Sequence, residues 1–159
     1  MATEKELRQA KIVFDTLCEM MDNNNWKYDA VEEDLMIRTG AGGDDLPIHI
    51  RIHVEPERQL VTFLSEQDFQ IGEGHTIDMA LAVTAINYKL VDGSFDYNPL
   101  SDALFFRVTT SYRESLLGHD LFEYMLFIVC KTVDDYNDKL AKIADGSMSL
   151  MDLIKALHE

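Results

Sequence analysis

The sequence predicts an α+β protein with an antiparallel five-stranded sheet and helices packed mainly on one face of it. Three observations predict this fold. The hydrophobic period changes from that of a helix to that of a strand between Tyr28 and Glu66. A helical pattern over Thr76–Val91 is followed by a turn and a two-stranded hairpin. The longest amphipathic pattern then runs over Asp120–Ala144 and ends at an Asp-Gly pair.

The chain begins with a predicted amphipathic helix. Thr3 and Glu6 have the spacing of a capping box, in which each side chain hydrogen-bonds to the backbone of the other residue. The apolar residues that follow recur every three or four positions: Leu7, Ala10, Phe14, Leu17 and Met21. We expect this helix to end at residues 23–25, because asparagine tolerates the left-handed backbone found at helix ends.

Five strands are predicted in two groups. The first three are Tyr28–Arg38, Pro47–Glu55 and Gln59–Ser65, and the hairpin strands are Ser94–Tyr97 and Ala103–Tyr112. The second of these strands alternates most clearly, with β-branched side chains at positions 48, 50, 52 and 54. Because successive side chains on a strand point to opposite faces, positions 49, 51 and 53 face away from that apolar set.

The second helix and the tail each need a surface to pack against. The helix over Thr76–Val91 is apolar on a wide arc, which we expect to rest on the sheet: Ile77, Leu81, Thr84, Ala85 and Tyr88, flanked by Met79, Val83 and Ile86. A short helix at about 147–158 carries a leucine-rich stripe that requires a partner on this protomer or on another.

Composition limits the classes of function. The 159 residues, 47% of them hydrophobic, suffice for a single domain spanning 1–159. The net charge of -15 disfavours binding to nucleic acid or to an anionic membrane surface. No apolar run approaches the ~20 residues of a membrane span, and the amino terminus has no signal-peptide pattern, so we expect a cytoplasmic protein.

No motif specifies a reaction. Cys18 and Cys130 lie among apolar neighbours and are expected to be buried thiols. His49 and His53 lie roughly 13 Å apart on a strand at ~3.3 Å per residue, too far apart to chelate one metal ion. The glycines at 40–43 precede a strand and lack the lysine of a phosphate-binding loop. The sequence therefore predicts no catalytic residues, no cofactor and no metal.

The arginines are concentrated among the predicted strands. All six except Arg8 lie between Arg38 and Arg113, whereas the lysines lie mostly on helices. The alternation predicts one exposed sheet face that would bind a protein partner, with these candidate residues: His49, Arg51, His53, Phe105, Arg107 and Thr109. The alternative is that these arginines only form cross-strand pairs with carboxylates.

Three segments carry a resemblance to a known family. They are Trp26-Lys27-Tyr28, Asn87–Phe95 (NYKLVDGSF) and Tyr136–Leu140 (YNDKL). On these segments the chain resembles the YbjN family, described as proposed bacterial sensory transduction regulators, whose fold is similar to that of type III secretion chaperones. The resemblance covers roughly Leu7 to Ile143 and implies a secretion-chaperone-like α/β sandwich, a protein-binding role and no catalytic residues.

The favoured function is a non-enzymatic protein-binding module, resembling a chaperone-like adaptor or a sensory transduction regulator. A small-ligand sensor and a structural subunit are the alternatives, and an enzyme is the least favoured class. The tail helix, the long final helix and the chaperone-like fold together predict a homodimer.

Overall fold

A computed structural model describes residues 1–115 and 117–159. The helices are α1 (Glu4–Asn23), α2 (Thr76–Lys89), α3 (His119–Asp145) and α4 (Leu150–Ala156). The strands are β1 (Tyr28–Val31), β2 (Met36–Ala41), β3 (Ile48–Glu55), β4 (Leu60–Glu66), β5 (Ser94–Asn98) and β6 (Ala103–Ser111). The strands form one antiparallel sheet in the order β1-β2-β3-β4-β6-β5.

The sheet has six strands, not five, because the first predicted strand is divided. A 3-10 turn at Glu32–Asp34 separates β1 from β2, and Leu35 follows it in the left-handed conformation with φ 49°. The two strands then form a hairpin in which Tyr28 pairs with Thr39. If a strand continued through these three consecutive acidic residues, at least one carboxylate would point to the buried face and lose its hydration, which is costly. The three residues therefore lie on a solvated turn.

The prediction that helices pack on one face of the sheet is confirmed. α1 contacts β3, α2 contacts β5, and α3 contacts β3, β4 and β6. The inner face of the sheet is the buried one, and its central side chains include Ile50, Ile52, Phe63 and Phe106, each at most 3% exposed. No helix in the described part of the chain is both long and apolar enough to cross a membrane.

The start of α1 has the predicted capping box. The Glu6 backbone N–H donates to Thr3 Oγ1 at 3.3 Å, and the Thr3 N–H donates to Glu6 Oε2 at 2.7 Å. The predicted stripe is buried from Ala10 to Met21, while Leu7 remains half exposed. The local sequence therefore predicts correctly where this helix begins.

α2 buries the flank of the arc that its sequence predicted, and not the centre of that arc. Ile77, Leu81 and Tyr88 are 74%, 49% and 87% exposed, and the buried residues are Met79, Ala82, Val83 and Ile86. Both faces of this helix are apolar, so hydrophobic periodicity could not decide which face meets the sheet. α2 thus carries an unpartnered apolar stripe, formed by Ile77, Leu81 and Tyr88.

The tail helix is shorter than predicted and packs on its own chain. α4 has 7 residues and is capped by Ser149, whose hydroxyl accepts from the Asp152 N–H at 3.1 Å. α4 contacts α2, and Leu153 is fully buried. The apolar stripe of the tail is therefore used at least partly within the protomer.

The segment from Asn87 to Phe95 closes the free edge of the sheet. Asn87 Nδ2 donates to the Phe95 carbonyl at 2.9 Å, and the Phe95 N–H donates to Asn87 Oδ1 at 2.8 Å. β5 is an edge strand, and an edge strand presents unpaired backbone groups. The amide of Asn87 therefore occupies the position that a neighbouring strand would take at Phe95.

Candidate partner-binding face

A row of long side chains crosses the face of the sheet opposite the helices, which we call the outer face. The register pairs Arg38 with Arg51, Arg51 with Leu64, and Leu64 with Arg107 on four adjacent strands. Directly opposed residues of antiparallel strands point to the same face. The four residues Arg38, Arg51, Leu64 and Arg107 therefore form one continuous line, the arginine row.

The outer face contains all six residues proposed from the sequence. His49, Arg51 and His53 alternate with the buried side chains of β3, and Arg107 and Thr109 do so on β6. These five are exposed, and the sixth, Phe105, is half-buried. Because these five side chains are exposed, the helices of the described chain do not cover this part of the sheet.

Some members of this face are paired and others are not. Arg107 Nη2 lies 2.6 Å from Asp96 Oδ2 on the neighbouring strand, and His49 Nε2 lies 3.1 Å from Asp68 Oδ2. Thr109 shares a hydroxyl hydrogen bond of 3.2 Å with Thr62. Cross-strand pairing with a carboxylate therefore accounts for Arg107.

Arg38 and Arg51 differ from Arg107. Among the residues that the structure describes, the arginines in ion pairs are Arg8, Arg58 and Arg107. Arg38 and Arg51 stand directly opposite each other on adjacent strands, and like charges in that position repel. Asp29 on β1 is the cross-strand neighbour of Arg38, and Glu66 lines the same depression as both arginines, so this part of the arginine row has carboxylates nearby but no close ion pair within the described chain.

The outer face is concave. A depression of about 900 Å³ is lined by Arg51, His53, Arg58 and Arg107, together with the chain from Val91 to Ser94. A second depression of about 260 Å³ lies beside it and shares Arg51 and Leu64 with the first. Both are open to solvent, which suits an extended partner surface better than an enclosed small molecule.

Two residues of the arginine row were not among the sequence candidates. Arg38 is the last residue of the first predicted strand, and the period of two does not reveal that this strand is divided into β1 and β2. Leu64 alternates with Phe63 and Ser65 on β4, so the period of two could have assigned it to the outer face. Its place between two arginines depends on the pairing of β4 with β6, which joins distant parts of the chain.

The described residues include two free cysteines, Cys18 and Cys130, and no cluster of metal-ligating side chains. No three His, Cys, Asp or Glu side chains converge there to hold a metal ion. Burial raises the pKa of the Cys130 thiol to about 11, and burial likewise raises the pKa of Cys18. Both free thiols are therefore held in the protonated, weakly nucleophilic form near neutral pH.

Solved structures provide the comparison with known proteins. No protein-family model matches the chain, and no curated protein matches it. YbjN from E. coli, described as a proposed transcription regulator, is 10% identical with a TM-score of 0.58 over 86% of this chain and 94% of that one.

Two further structures are protein complexes. A chain of the ExsC–ExsE complex is 17% identical with a TM-score of 0.58, covering 80% of this chain and 92% of that one. A chain of the HopA1–SchA chaperone–effector complex is 5% identical with a TM-score of 0.58, covering 82% and 97%. At these identities the likeness concerns the fold, and it agrees with the resemblance found in the sequence. The chain therefore has a YbjN-like fold, which the chaperone–effector structure shares.

Proposed function

We propose that this protein is a non-enzymatic, cytoplasmic protein-binding module that acts as a chaperone-like adaptor. The observation that carries the proposal is the arginine row, exposed on a concave sheet face that the protein's own helices leave uncovered. The similar folds support it, since the ExsC–ExsE and HopA1–SchA structures are complexes of two proteins. A small-ligand sensor is less favoured because the main depression is wide and open.

The chemistry of the outer face favours an acidic, partly apolar segment of the partner. A guanidinium group pairs with a carboxylate through two parallel hydrogen bonds, so Arg38 and Arg51, which form no close ion pair in the described chain, would each gain one. Leu64 lies between Arg51 and Arg107 and offers an apolar contact. Bound carboxylates would also relieve the repulsion between the two opposed arginines.

The test is charge reversal at Arg51, followed by affinity capture from the native cell and identification of the bound proteins. Arg51→Glu should abolish capture of the specific partner, because it removes the attraction between the guanidinium group and the partner's carboxylates and puts a repelling carboxylate in its place. Arg8→Glu is the matched control, since Arg8 lies on α1 and its replacement changes the net charge equally. Equal loss in both variants, or capture unchanged by Arg51→Glu, would exclude the outer face as the binding site.

Arg107 needs a gentler substitution. Arg107→Glu would bring a second carboxylate towards Asp96, which is 27% exposed, and would lower stability as well as binding. Arg107→Gln removes the charge without adding a like one. We therefore expect the Arg51→Glu protein to melt close to the unmodified protein and the Arg107→Glu protein to melt lower, as differential scanning calorimetry will report.

We also propose that the protein forms a homodimer through the unpartnered apolar stripe of α2. Ile77, Leu81 and Tyr88 are exposed along one side of that helix, and contiguous apolar surface of this kind commonly marks an interface. Light scattering should give about twice the chain mass of 18.2 kDa. Leu81→Glu should return the mass to that of one chain, whereas Lys89→Glu, at the end of the same helix, should not. A single-chain mass for the unmodified protein at micromolar concentration would refute the dimer.

A further inference from the structure

A small crevice opens where β4 ends, next to the smaller depression of the outer face, with which it shares Glu66. Its volume is about 220 Å³, and its apolar lining comes from Leu46, Pro47 and Phe69. The loop between β2 and β3 supplies the first two, and the segment after β4 supplies the third. This volume lies below the roughly 300–1,000 Å³ of pockets for drug-sized ligands, so it suits a single side chain or a molecule of that size.

A buried amide without a hydrogen-bond partner lines the crevice. Asn137 of α3 is 1% exposed, and its Oδ1 has no partner among residues 1–115 and 117–159. A buried acceptor left without a donor costs about 1–3 kcal/mol, so nearly all such groups in proteins are paired. Asn137 also belongs to the YNDKL segment that carries the family resemblance. Asn137 is not part of the outer face.

The loop that forms one wall is held firmly against α3. The Asp44 N–H donates to Asp134 Oδ1 at 2.7 Å, one helical turn before Asn137. A Cβ atom on Gly43 would lie 2.6 Å from the same carboxylate oxygen and would clash with the carbonyl of Leu46. Only glycine therefore allows this close approach, and the wall beside Asn137 is preorganised.

The mouth of the crevice is acidic. Glu66 and Asp68 line it and are exposed, and Asp68 also lies 3.1 Å from His49. Neither lysine nor arginine is among the described lining residues. An apolar channel with carboxylates at its mouth and an amide oxygen inside is suited to a group with a hydrocarbon stem and a cationic, hydrogen-donating end.

We propose that this crevice binds an alkyl chain that ends in a cationic nitrogen group, either a guanidinium or an ammonium. The stem packs against Leu46, Pro47 and Phe69, an N–H donates to Asn137 Oδ1, and the charge is balanced by Glu66 and Asp68. The source is an arginine or lysine side chain of another protein segment, or a free aliphatic amine. The site adjoins the arginine row through Glu66, but it prefers a ligand of the opposite charge.

Heteronuclear NMR of the full chain tests this site. The probes are N-acetyl-arginine amide, its neutral isostere N-acetyl-citrulline amide, and 1,4-diaminobutane. The arginine probe should shift the side-chain amide signals of Asn137 and the backbone signal of Gly43 in a saturable way, and the citrulline probe should bind at least several-fold more weakly. Tighter binding of the arginine probe than of the diamine supports a protein segment as the source, and the reverse order supports a free amine.

Substitutions of exposed residues test the site without disturbing the fold. Glu66→Gln and Asp68→Asn should each weaken binding of the arginine probe by roughly 1.5- to 5-fold, the range for an exposed charge pair. Asp152→Asn on α4 is the matched control and should leave binding unchanged. Absence of any saturable shift at Asn137, equal binding of arginine and citrulline probes, or equal effects of all three variants would overturn the proposal.

Discussion

Replacing Asn87 by alanine should weaken the β5 edge of the sheet. The side chain of Asn87 makes hydrogen bonds of 2.9 and 2.8 Å to the carbonyl and the N–H of Phe95. Phe95 itself is 1% exposed and stacks at 5.0 Å against Phe106. The substitution removes both hydrogen bonds and leaves the backbone of a buried residue with only water available at its edge.

The magnitude follows from the two bonds. Each neutral hydrogen bond contributes about 0.5–1.5 kcal/mol to the free energy of unfolding, so Asn87→Ala should lower it by about 1–3 kcal/mol. In a domain of this size each kcal/mol corresponds to about 2–4 °C in the melting temperature. A loss of about 2 kcal/mol therefore corresponds to a decrease of about 4–8 °C.

Urea unfolding and amide hydrogen exchange measure the effect together. The urea midpoint should fall at constant slope, and the Phe95 N–H should exchange much faster than in the unmodified protein. Thr84→Ala is the control on the same helix, because among residues 1–115 and 117–159 the hydrogen-bond partner of the Thr84 hydroxyl is the carbonyl of Ala80 in its own helix. A free energy of unfolding within about 0.5 kcal/mol of the unmodified protein would refute the role assigned to Asn87.

Three other substitutions or reactions test separate parts of the fold. Gly93→Ala should cost at least about 2 kcal/mol in urea unfolding, because Gly93 has φ 73° and its Cβ would lie 2.5 Å from Phe106 Cζ; an effect below 0.5 kcal/mol, the ordinary range for a neutral surface change, would contradict this. Thr3→Ala should lower stability by about 1 kcal/mol at pH 7, as thermal melts will measure. Hydrogen bonds from the Thr3 backbone and side chain lower the pKa of Glu6 from 4.5, so the part that depends on the Glu6 carboxylate is present above pH 4.5 and is lost as the pH falls below it, while the bond from the Glu6 N–H to Thr3 Oγ1 remains; a Thr3→Ala effect that does not shrink at all between pH 7 and pH 3 would argue against the bond between the Thr3 hydroxyl and the Glu6 carboxylate. Cys130 should react about 50-fold more slowly with iodoacetamide at pH 9 than a thiol of pKa 9.0, because burial raises its pKa to about 11, and a rate equal to that of a free thiol would show that Cys130 is accessible and ionised.

The sequence was sufficient where the determining interactions are local. The cap at Thr3, the alternation along β3 and the stop after α3 all involve residues within a few positions of one another. α2 was assigned correctly as a helix, but its buried face was not, because Ile77 and Ile86 lie on different faces with equal hydrophobicity. The choice between those faces depends on contacts with β5 and α4, and the spacing of apolar residues does not reveal those contacts.

The candidate face was predicted in part for the same reason. Strand alternation assigned His49 and Arg51 to one side of β3 and Arg107 to one side of β6. It cannot predict the order of the strands in the sheet, because that order depends on residues far apart in the sequence. β4 and β6 pair although about 40 residues and α2 separate them, and this pairing aligns Leu64 with Arg107. The Asn137 crevice was not predicted at all, because its walls come from three separate segments and its polar group lies in an apolar helix stripe.

The opposed pair Arg38 and Arg51 has a kinetic consequence on a chain of net charge -15. At low salt an acidic partner that approaches from a distance meets the net charge and is repelled, whereas at 0.1 M salt this repulsion is largely screened beyond the Debye length of about 10 Å. At closer range the partner meets the two guanidinium groups and is attracted. Added salt should therefore speed the encounter by screening the repulsion, while it shortens the lifetime of the complex by weakening the local pairing. A binding partner of the outer face would thus show association and dissociation rates that both rise with ionic strength.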